Sequence, residues 1–170
     1  MSIIFRGDEY MVEVRVDAIR MSLMSPGHQV VILKDVDAER YLPIFIGKPE
    51  GDAIILALRE EDMNRPLTHD LALHILDALK GRVGHVLIND LSNNHFQSLV
   101  VLQVNDKELT LDARPSDAIA LAVRAGCPIF VDQEVMDVAG VVPQVGESFT
   151  GDMSAFEDFL DTLNLDDLDK

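Results

Sequence analysis

An internal repeat constrains the fold of this 170-residue chain more than any other feature of the sequence. Residues 51–59 (GDAIILALR) closely match residues 116–124 (SDAIALAVR), at an offset of 65 positions. Each segment has a helical pattern and follows a strand pattern, at residues 41–46 or 107–111, which is itself preceded by a predicted hairpin. Agreement in the order of the flanking elements indicates two β-β-β-α units.

Two β-β-β-α units predict an α+β fold in which helices pack on a mixed sheet. We expect residues 10–59 and 75–125 to superimpose. With 48% hydrophobic residues, the chain is long enough to bury a sizeable core.

The last residues have a different composition from the rest. Residues 147–170 carry −7 of the net charge of −16, and 1–146 carry the remaining −9. Within this tail an amphipathic helix is predicted by the i, i+3, i+4, i+7 spacing of four apolar residues, Phe156, Phe159, Leu160 and Leu163. We therefore divide the chain into a domain at 1–146 and an acidic helical tail at 147–170, which either packs on its own domain or meets a partner subunit.

Charge and cysteine content restrict the classes of function. A net charge of −16 opposes non-specific binding to nucleic acid, so action on DNA or RNA would require a local basic patch or a metal ion. The only cysteine, Cys127, excludes an internal disulfide and is typical of a cytoplasmic protein. No apolar run approaches 18 residues, so we expect no membrane span.

The second repeat begins at a strand-to-helix corner that is rich in functional groups. Pro115 suits the first turn of a helix, Ser116 is a candidate cap, and Asp117 suits the positive end of the helix dipole. Together with Asp112 and Arg114, the corner has two carboxylates, a guanidinium and a hydroxyl. Corners of this kind hold ligands, although turn and cap roles are the commoner use of Asp and Ser. We expect a carboxylate, that of Asp112, Asp117 or Asp70, to pair with Arg114. Removal of the arginine should then cost roughly 3–5 kcal/mol, because a buried charge would lose its partner.

The repeat also places acid-bearing helix starts in equivalent positions. If the two units pack about a pseudo-twofold axis, these corners approach each other, and carboxylates of Glu50, Asp52, Asp112 and Asp117 could then hold Mg²⁺ or Mn²⁺. The alternative is two independent helix starts whose acids only cap the backbone.

A third group of candidate residues lies between the repeats. Thr68 is a candidate N-cap, followed by His69 and Asp70 in the first turn of a helix. The helix dipole disfavours a protonated imidazole there, which suits a neutral base, although a structural histidine is commoner. His74, five residues further on, lies off the face of His69, so the two are a poor metal pair.

Four blocks of the sequence resemble the bifunctional nuclease domain family and occur in the order found in that family. These blocks are LPIFIG at 42–47 followed by Glu50, RPLTHDL at 65–71, LDARPSDAIAL at 111–121 and PIFV at 128–131. The resemblance covers about residues 10–140. It implies an α+β domain, often oligomeric, with activity on DNA and RNA.

Three hypotheses about function follow. The first is a metal-assisted nuclease in which His69, Asp70 and Asp117 are catalytic, Arg65, Arg114 and Ser116 bind the phosphate, and Glu50, Asp52 and Asp112 hold Mg²⁺ or Mn²⁺. The second is a regulatory module that binds an anion or small molecule at the same groups without turnover. The third is an oligomeric scaffold in which the motifs maintain the fold. In each case we expect a homo-oligomer to which the tail or an exposed strand edge contributes.

Overall fold

The computed structural model describes residues 5–6, 9–22, 25, 27–59 and 64–142. These residues form eight strands and four helices: β1 (Phe5–Arg6), β2 (Glu9–Met21), β3 (His28–Asp35), β4 (Tyr41–Gly47), α1 (Lys48–Leu58), α2 (Thr68–Ala78), β5 (Gly81–Ser92), β6 (His95–Val104), β7 (Lys107–Ala113), α3 (Pro115–Ala125), β8 (Ile129–Asp132) and α4 (Gln133–Ala139). None of the helices in these ranges has the length and apolar character that crossing a membrane requires. The predicted tail helix lies outside the described residues.

Seven strands form one mixed sheet in the order β4-β3-β2-β8-β5-β6-β7, and the two-residue β1 pairs with the start of β2. Neighbouring strands are antiparallel except for β5 and β8, which run parallel through Val86–Ile129 and the two following pairs. The hairpin between β5 and β6 turns at Asn93 and Asn94, both with positive φ, as their tolerance of this conformation predicts. The α+β fold class is therefore confirmed.

All four helices pack on one face of the sheet. The core between the two layers contains Val12, Leu33 and Ile88 from the strands and Ile54 and Ile119 from the helices, all of them buried. α3 contributes most to this layer, because its alanines allow the helix to approach the strands closely. The opposite face of the sheet has a small buried cluster of its own, Met11, Leu87 and Phe130.

Each half of the chain contains the predicted element order. β2-β3-β4-α1 and β5-β6-β7-α3 extend outward from β8, which lies between β2 and β5. β8 is antiparallel to β2 and parallel to β5, so the two halves run in opposite directions. A twofold axis normal to the sheet near β8 would produce this arrangement, and such a relation between the two units stays a prediction. The superposition of 10–59 on 75–125 stays a prediction.

The helix starts follow the sequence signals with two corrections. α1 and α3 each begin directly after a strand, and each has a proline in its first turn. The N-cap of α3 is Arg114, so Ser116 is the second residue of the helix and not its cap. The N-cap of α2 is Leu67 and not Thr68, and the Asp70 carboxylate accepts the Leu67 N–H at 2.8 Å. In both cases the chain begins its helix one or two residues earlier than the polar cap residue predicts.

Candidate functional site

The first turns of α1 and α3 meet through the side chain of Arg114. Its Nε and Nη2 donate to Asp117 Oδ2 and Oδ1 at 2.8 and 3.3 Å, and its Nη1 donates to Glu50 Oε1 at 3.1 Å. The predicted approach of the two corners and the predicted pairing of Arg114 with a carboxylate are therefore both seen. Arg114 is not buried, because 66% of its side chain is exposed. The guanidinium forms the solvent-facing side of the cluster.

His69 reaches this cluster from α2, which lies outside the repeat. Its Nε2 is 3.2 Å from Asp117 Oδ1, and the two side chains are 16% and 34% exposed. Burial alone would raise the pKa of Asp117, but hydrogen bonds from Arg114 and His69 hold it below its ordinary value. Asp117 is therefore an ionised acceptor, so a hydrogen bond between them requires the proton on His69 Nε2. In the Nε2–H tautomer of an imidazole, Nδ1 carries the lone pair and is the proton acceptor.

Asp70 accepts a hydrogen bond on each of its two carboxylate oxygens. Oδ2 accepts the Leu67 N–H at 2.8 Å, and Oδ1 accepts Arg124 Nε at 2.8 Å. Burial alone would raise the pKa of Asp70, but the Leu67 N–H and the Arg124 guanidinium hold it below its ordinary value. An ionised carboxylate with two strong donors suits a structural ion pair between α2 and α3.

Arg124 was missed by the sequence analysis. Its side chain is only 7% exposed, and its remaining nitrogens donate to Ala53 O at 2.9 Å and to Ala120 O at 3.2 Å. A signal was present, since Arg59 and Arg124 are the matching last residues of the two repeats. Arginine in the last turn of an amphipathic helix is usually a surface charge, however, so the sequence pattern does not predict that Arg124 is buried.

Asp52, the repeat equivalent of Asp117, has different neighbours. Lys48 Nζ donates to its Oδ2 at 2.6 Å, and Gln29 Nε2 donates to its Oδ1 at 3.1 Å. These two donors, Lys48 first, lower the pKa of Asp52. The Lys48 and Asp52 side chains are 53% and 45% exposed, so this corner is more open to solvent than the His69–Asp117 pair.

Three other candidate residues lie apart from this cluster. Arg65 is exposed in the bend before α2. Ser116 is buried beneath the first turn of α3. Asp112 is on the opposite face of the sheet from the helices, because it alternates with Ala113, which packs against the core beneath them. Its position across from Leu99 keeps it away from Glu50 and Asp52 on α1.

A divalent ion at this site would require several of the predicted carboxylates to lie close together. Among residues 5–6, 9–22, 25, 27–59 and 64–142, no three His, Cys, Asp or Glu side chains form a group that could hold a metal ion. The expected convergence of Glu50, Asp52 and Asp112 is not found, since Glu50 pairs with Arg114 and Asp52 with Lys48. The cluster of Glu50, Arg114, Asp117 and His69 has a guanidinium between its two carboxylates. A requirement for Mg²⁺ or Mn²⁺ stays a prediction.

Comparison with known proteins gives this cluster its context. The family model of the bifunctional nuclease domain matches residues 31–144. An uncharacterised protein of Mycobacterium tuberculosis (strain H37Rv) is 37% identical over 163 residues, which cover 91% of this chain and 96% of that protein.

Two rice proteins are more distant relatives. Bifunctional nuclease 1 of Oryza sativa subsp. japonica is 26% identical over 137 residues, or 77% of this chain and 41% of that protein. Bifunctional nuclease 2 of the same plant is 28% identical over 120 residues, or 69% of this chain and 37% of that protein. The matched family model covers His69, Arg114, Asp117 and Arg124 together. The chain belongs to the bifunctional nuclease domain family.

Proposed function

We propose that this protein is a nuclease that hydrolyses phosphodiester bonds in DNA or RNA, with its site at His69, Asp117 and Arg114. The observation that carries the proposal is the contact of His69 Nε2 with Asp117 Oδ1, which joins two motifs 48 residues apart in sequence. An imidazole oriented by an ionised carboxylate is a common general base. The exposed Arg114 beside it is suited to face a phosphate.

The proposed chemistry assigns one task to each group. His69 Nδ1 accepts the proton of the attacking water as its oxygen bonds to phosphorus, and the bond to the leaving oxygen breaks with that oxygen taking a proton from solvent. Asp117 holds the imidazole in the Nε2–H tautomer and stabilises the imidazolium that forms. Arg114 balances the charge that develops on the phosphate oxygens. Asp70 is given no chemical task here, since both of its oxygens already hold donors.

The competing proposal is a scaffold in which these motifs only maintain the fold. The engaged carboxylates of Asp70 and Asp52 support that interpretation for those two residues. They do not account for the pairing of His69 and Asp117, since a partly exposed histidine–aspartate pair contributes little to stability. A binding module without turnover would use the same exposed Arg114 and would not depend on His69.

The decisive experiment is a cleavage assay on purified protein with single-stranded DNA and RNA. We expect cleavage that is lost in a folded His69→Ala variant, and assays with Mg²⁺, with Mn²⁺ and with EDTA test the predicted requirement for a metal ion. His74→Ala, five residues along the same helix and exposed, is the matched control and is expected to retain activity. Activity that survives His69→Ala would indicate a contaminating nuclease. Absence of cleavage with either metal would leave the binding module or the scaffold.

We further propose that the protein acts as a homo-oligomer in the cytoplasm. Support for self-association comes from α2, where Leu71, Ile75 and Leu79 are all more than half exposed and succeed one another at intervals of four residues. Leu109 and Leu111 on the edge strand β7 add further exposed apolar surface. Light scattering tests this directly, and a monomer mass at micromolar concentration would refute it.

A further inference from the structure

We infer that Arg124 is a positioning residue that holds His69 against Asp117, an inference that rests on the proposed function. Arg124 contacts three helices with its three guanidinium nitrogens. Nε binds Asp70 on α2, Nη2 binds the Ala53 carbonyl on α1, and Nη1 binds the Ala120 carbonyl on α3. The hydrogen bonds of Arg124 go to Asp70, Ala53 and Ala120 and not to His69 or Asp117, so we infer that its effect on the site is transmitted through the placement of α2.

α2 depends on polar contacts for its position more than the other helices do. None of its residues is buried, whereas α1, α3 and α4 each have at least two buried residues. Leu73 and Leu76 are only partly buried where they pack against the core. Apolar packing alone therefore restrains α2 weakly, and a shift or rotation of the helix would expose little additional surface.

A hydrogen bond and an ion pair join the start of α2 to α3 and fix its direction. His69 contacts Asp117 in the first turn of α3, and Asp70 contacts Arg124 in its last turn. Asp117 and Arg124 are seven residues apart, so they lie on the same face of α3, separated by about 10 Å along the helix axis. His69 and Asp70, which are consecutive residues of α2, are thus held at two separate points of α3. If the contact at Arg124 is lost, the contact at Asp117 becomes a pivot about which the imidazole can turn.

The geometry of the guanidinium matters as well as its charge. Its three acceptors belong to three separate helices, and a planar fork of donors reaches them simultaneously. Lysine at this position would keep a positive charge near Asp70 but could not hold all three acceptors in that plane. We therefore expect Arg124→Lys to retain much of the stability of the parent protein but less of the alignment of His69.

The test compares Arg124→Gln and Arg124→Lys with a control from the other repeat, Arg59→Gln. Arg59 occupies the equivalent position in sequence, but its side chain is exposed. The first measurement is the ¹⁵N spectrum of the histidine rings, with the His69 signals assigned from their absence in His69→Ala. We expect His69 in the Nε2–H tautomer in the parent protein and in Arg59→Gln, and displaced toward mixed tautomers in both Arg124 variants.

The second measurement is steady-state cleavage. A base misplaced by about 1 Å lowers kcat by roughly 10²-fold, while KM for the nucleic acid changes much less because Arg114 remains in place. A second control is Arg40→Gln, which breaks the ion pair of Arg40 with the buried Asp35 in the turn between β3 and β4. This variant should lower the melting temperature without altering the His69 spectrum, which separates loss of stability from loss of alignment.

The outcomes distinguish the two proposals. Folded Arg124 variants with an unchanged His69 spectrum would overturn the positioning role, whatever their activity. A shifted spectrum in a protein that never cleaves nucleic acid would support the positioning role and overturn the proposed function. If both Arg124 variants fail to fold, Asp70→Asn provides the same test, because the amide keeps one acceptor for Arg124 but loses the charge and the acceptor for Leu67 N–H.

Discussion

The two halves of the sheet present the same sequence pattern in different surroundings. In the first half, Asp52 follows β4 and is held by Lys48 and Gln29 in an open corner. In the second half, Asp117 follows β7 and is held by Arg114 and His69 in a more enclosed one. The matching arginines differ in the same way, since Arg59 is exposed whereas the side chain of Arg124 is 7% exposed.

This difference originates in α2, which belongs to neither repeat. α2 follows the first half in sequence but packs on α3 and β5 of the second half. It brings His69 to Asp117 and Asp70 to Arg124 in the second half. In the first half, Asp52 is held by Lys48 and Gln29 instead. The comparison teaches that similar corners acquire different surroundings when one further helix packs on the second of them.

The largest effect is expected from exchanging a carboxylate for an amide in each half. Asp117→Asn removes the charge that orients His69, and an amide can present a donor to Nε2, so cleavage should fall by roughly 10²- to 10⁴-fold. Asp52→Asn should leave cleavage within about threefold, a change small on the scale of a lost catalytic group. Rates on single-stranded substrate measure both. Equal losses of cleavage activity in the two variants would show that the corners do not differ in function. They would support a single group of carboxylates shared between the two corners.

The second prediction concerns the matched arginines and stability. Arg124→Gln leaves Asp70 without its ion pair, and because Asp70 is 31% exposed, the cost should be roughly 2–3 kcal/mol, below the range for fully buried pairs. Arg59→Gln should change the free energy of unfolding by less than about 1 kcal/mol, because the contacts of an exposed guanidinium are solvated. Urea denaturation of the two variants measures the difference. A cost at Arg59 as large as that at Arg124 would show that α2 is not what separates the halves.

The third prediction concerns acid. The folded protein holds the pKa of Asp70 below its ordinary value of 3.8, so the folded state binds fewer protons there than the unfolded state does. The stability from Asp70 is therefore complete above about pH 4 and is lost as the pH falls through the lowered pKa. Asp70→Asn should be less stable than the parent protein at neutral pH, with a gap that closes below pH 4.

The corner of the first half provides the control for this acid effect. The pKa of Asp52 is lowered as well, but its pair with Lys48 is about half exposed and is screened by salt. The difference in stability between Asp52→Asn and the parent protein should be smaller and should decrease in high salt. The corresponding difference for Asp70→Asn should persist in high salt. Denaturation at several pH values in low and high salt measures both, and identical salt dependence would contradict the prediction.

Local sequence signals were sufficient for the fold class and for the corner at Arg114. Strand alternation and the proline at each helix start depend on neighbouring residues alone, so they predicted the element order of both halves. The same alternation excludes Asp112 from the helical face, because it is out of phase with Leu111 and Ala113. The prediction that Asp112 belongs to a shared metal group relied on its spacing along the chain and neglected the alternation of side chains along the strand.

The contacts of α2 could not be read from the sequence. Thr68, His69 and Asp70 predicted a helix start, but not the helix against which it packs, since that depends on the layer formed by α3 and β5. Arg124 was missed for the same reason. Its burial arises only when three helices meet around it, and its own turn of α3 contains no sign of them.

A small effect on stability is expected at Arg114, for which the sequence predicts a cost of roughly 3–5 kcal/mol. The side chain is 66% exposed, so its pairs with Asp117 and Glu50 are solvated, and Arg114→Ala should cost less than about 1 kcal/mol. Lys48→Ala, which removes the 53% exposed partner of Asp52, should cost a similar amount. Thermal melts of both variants check this equality. A much larger loss at Arg114 would mean that its three contacts hold α1 and α3 together, and the functional contrast between the corners would then be partly a structural one.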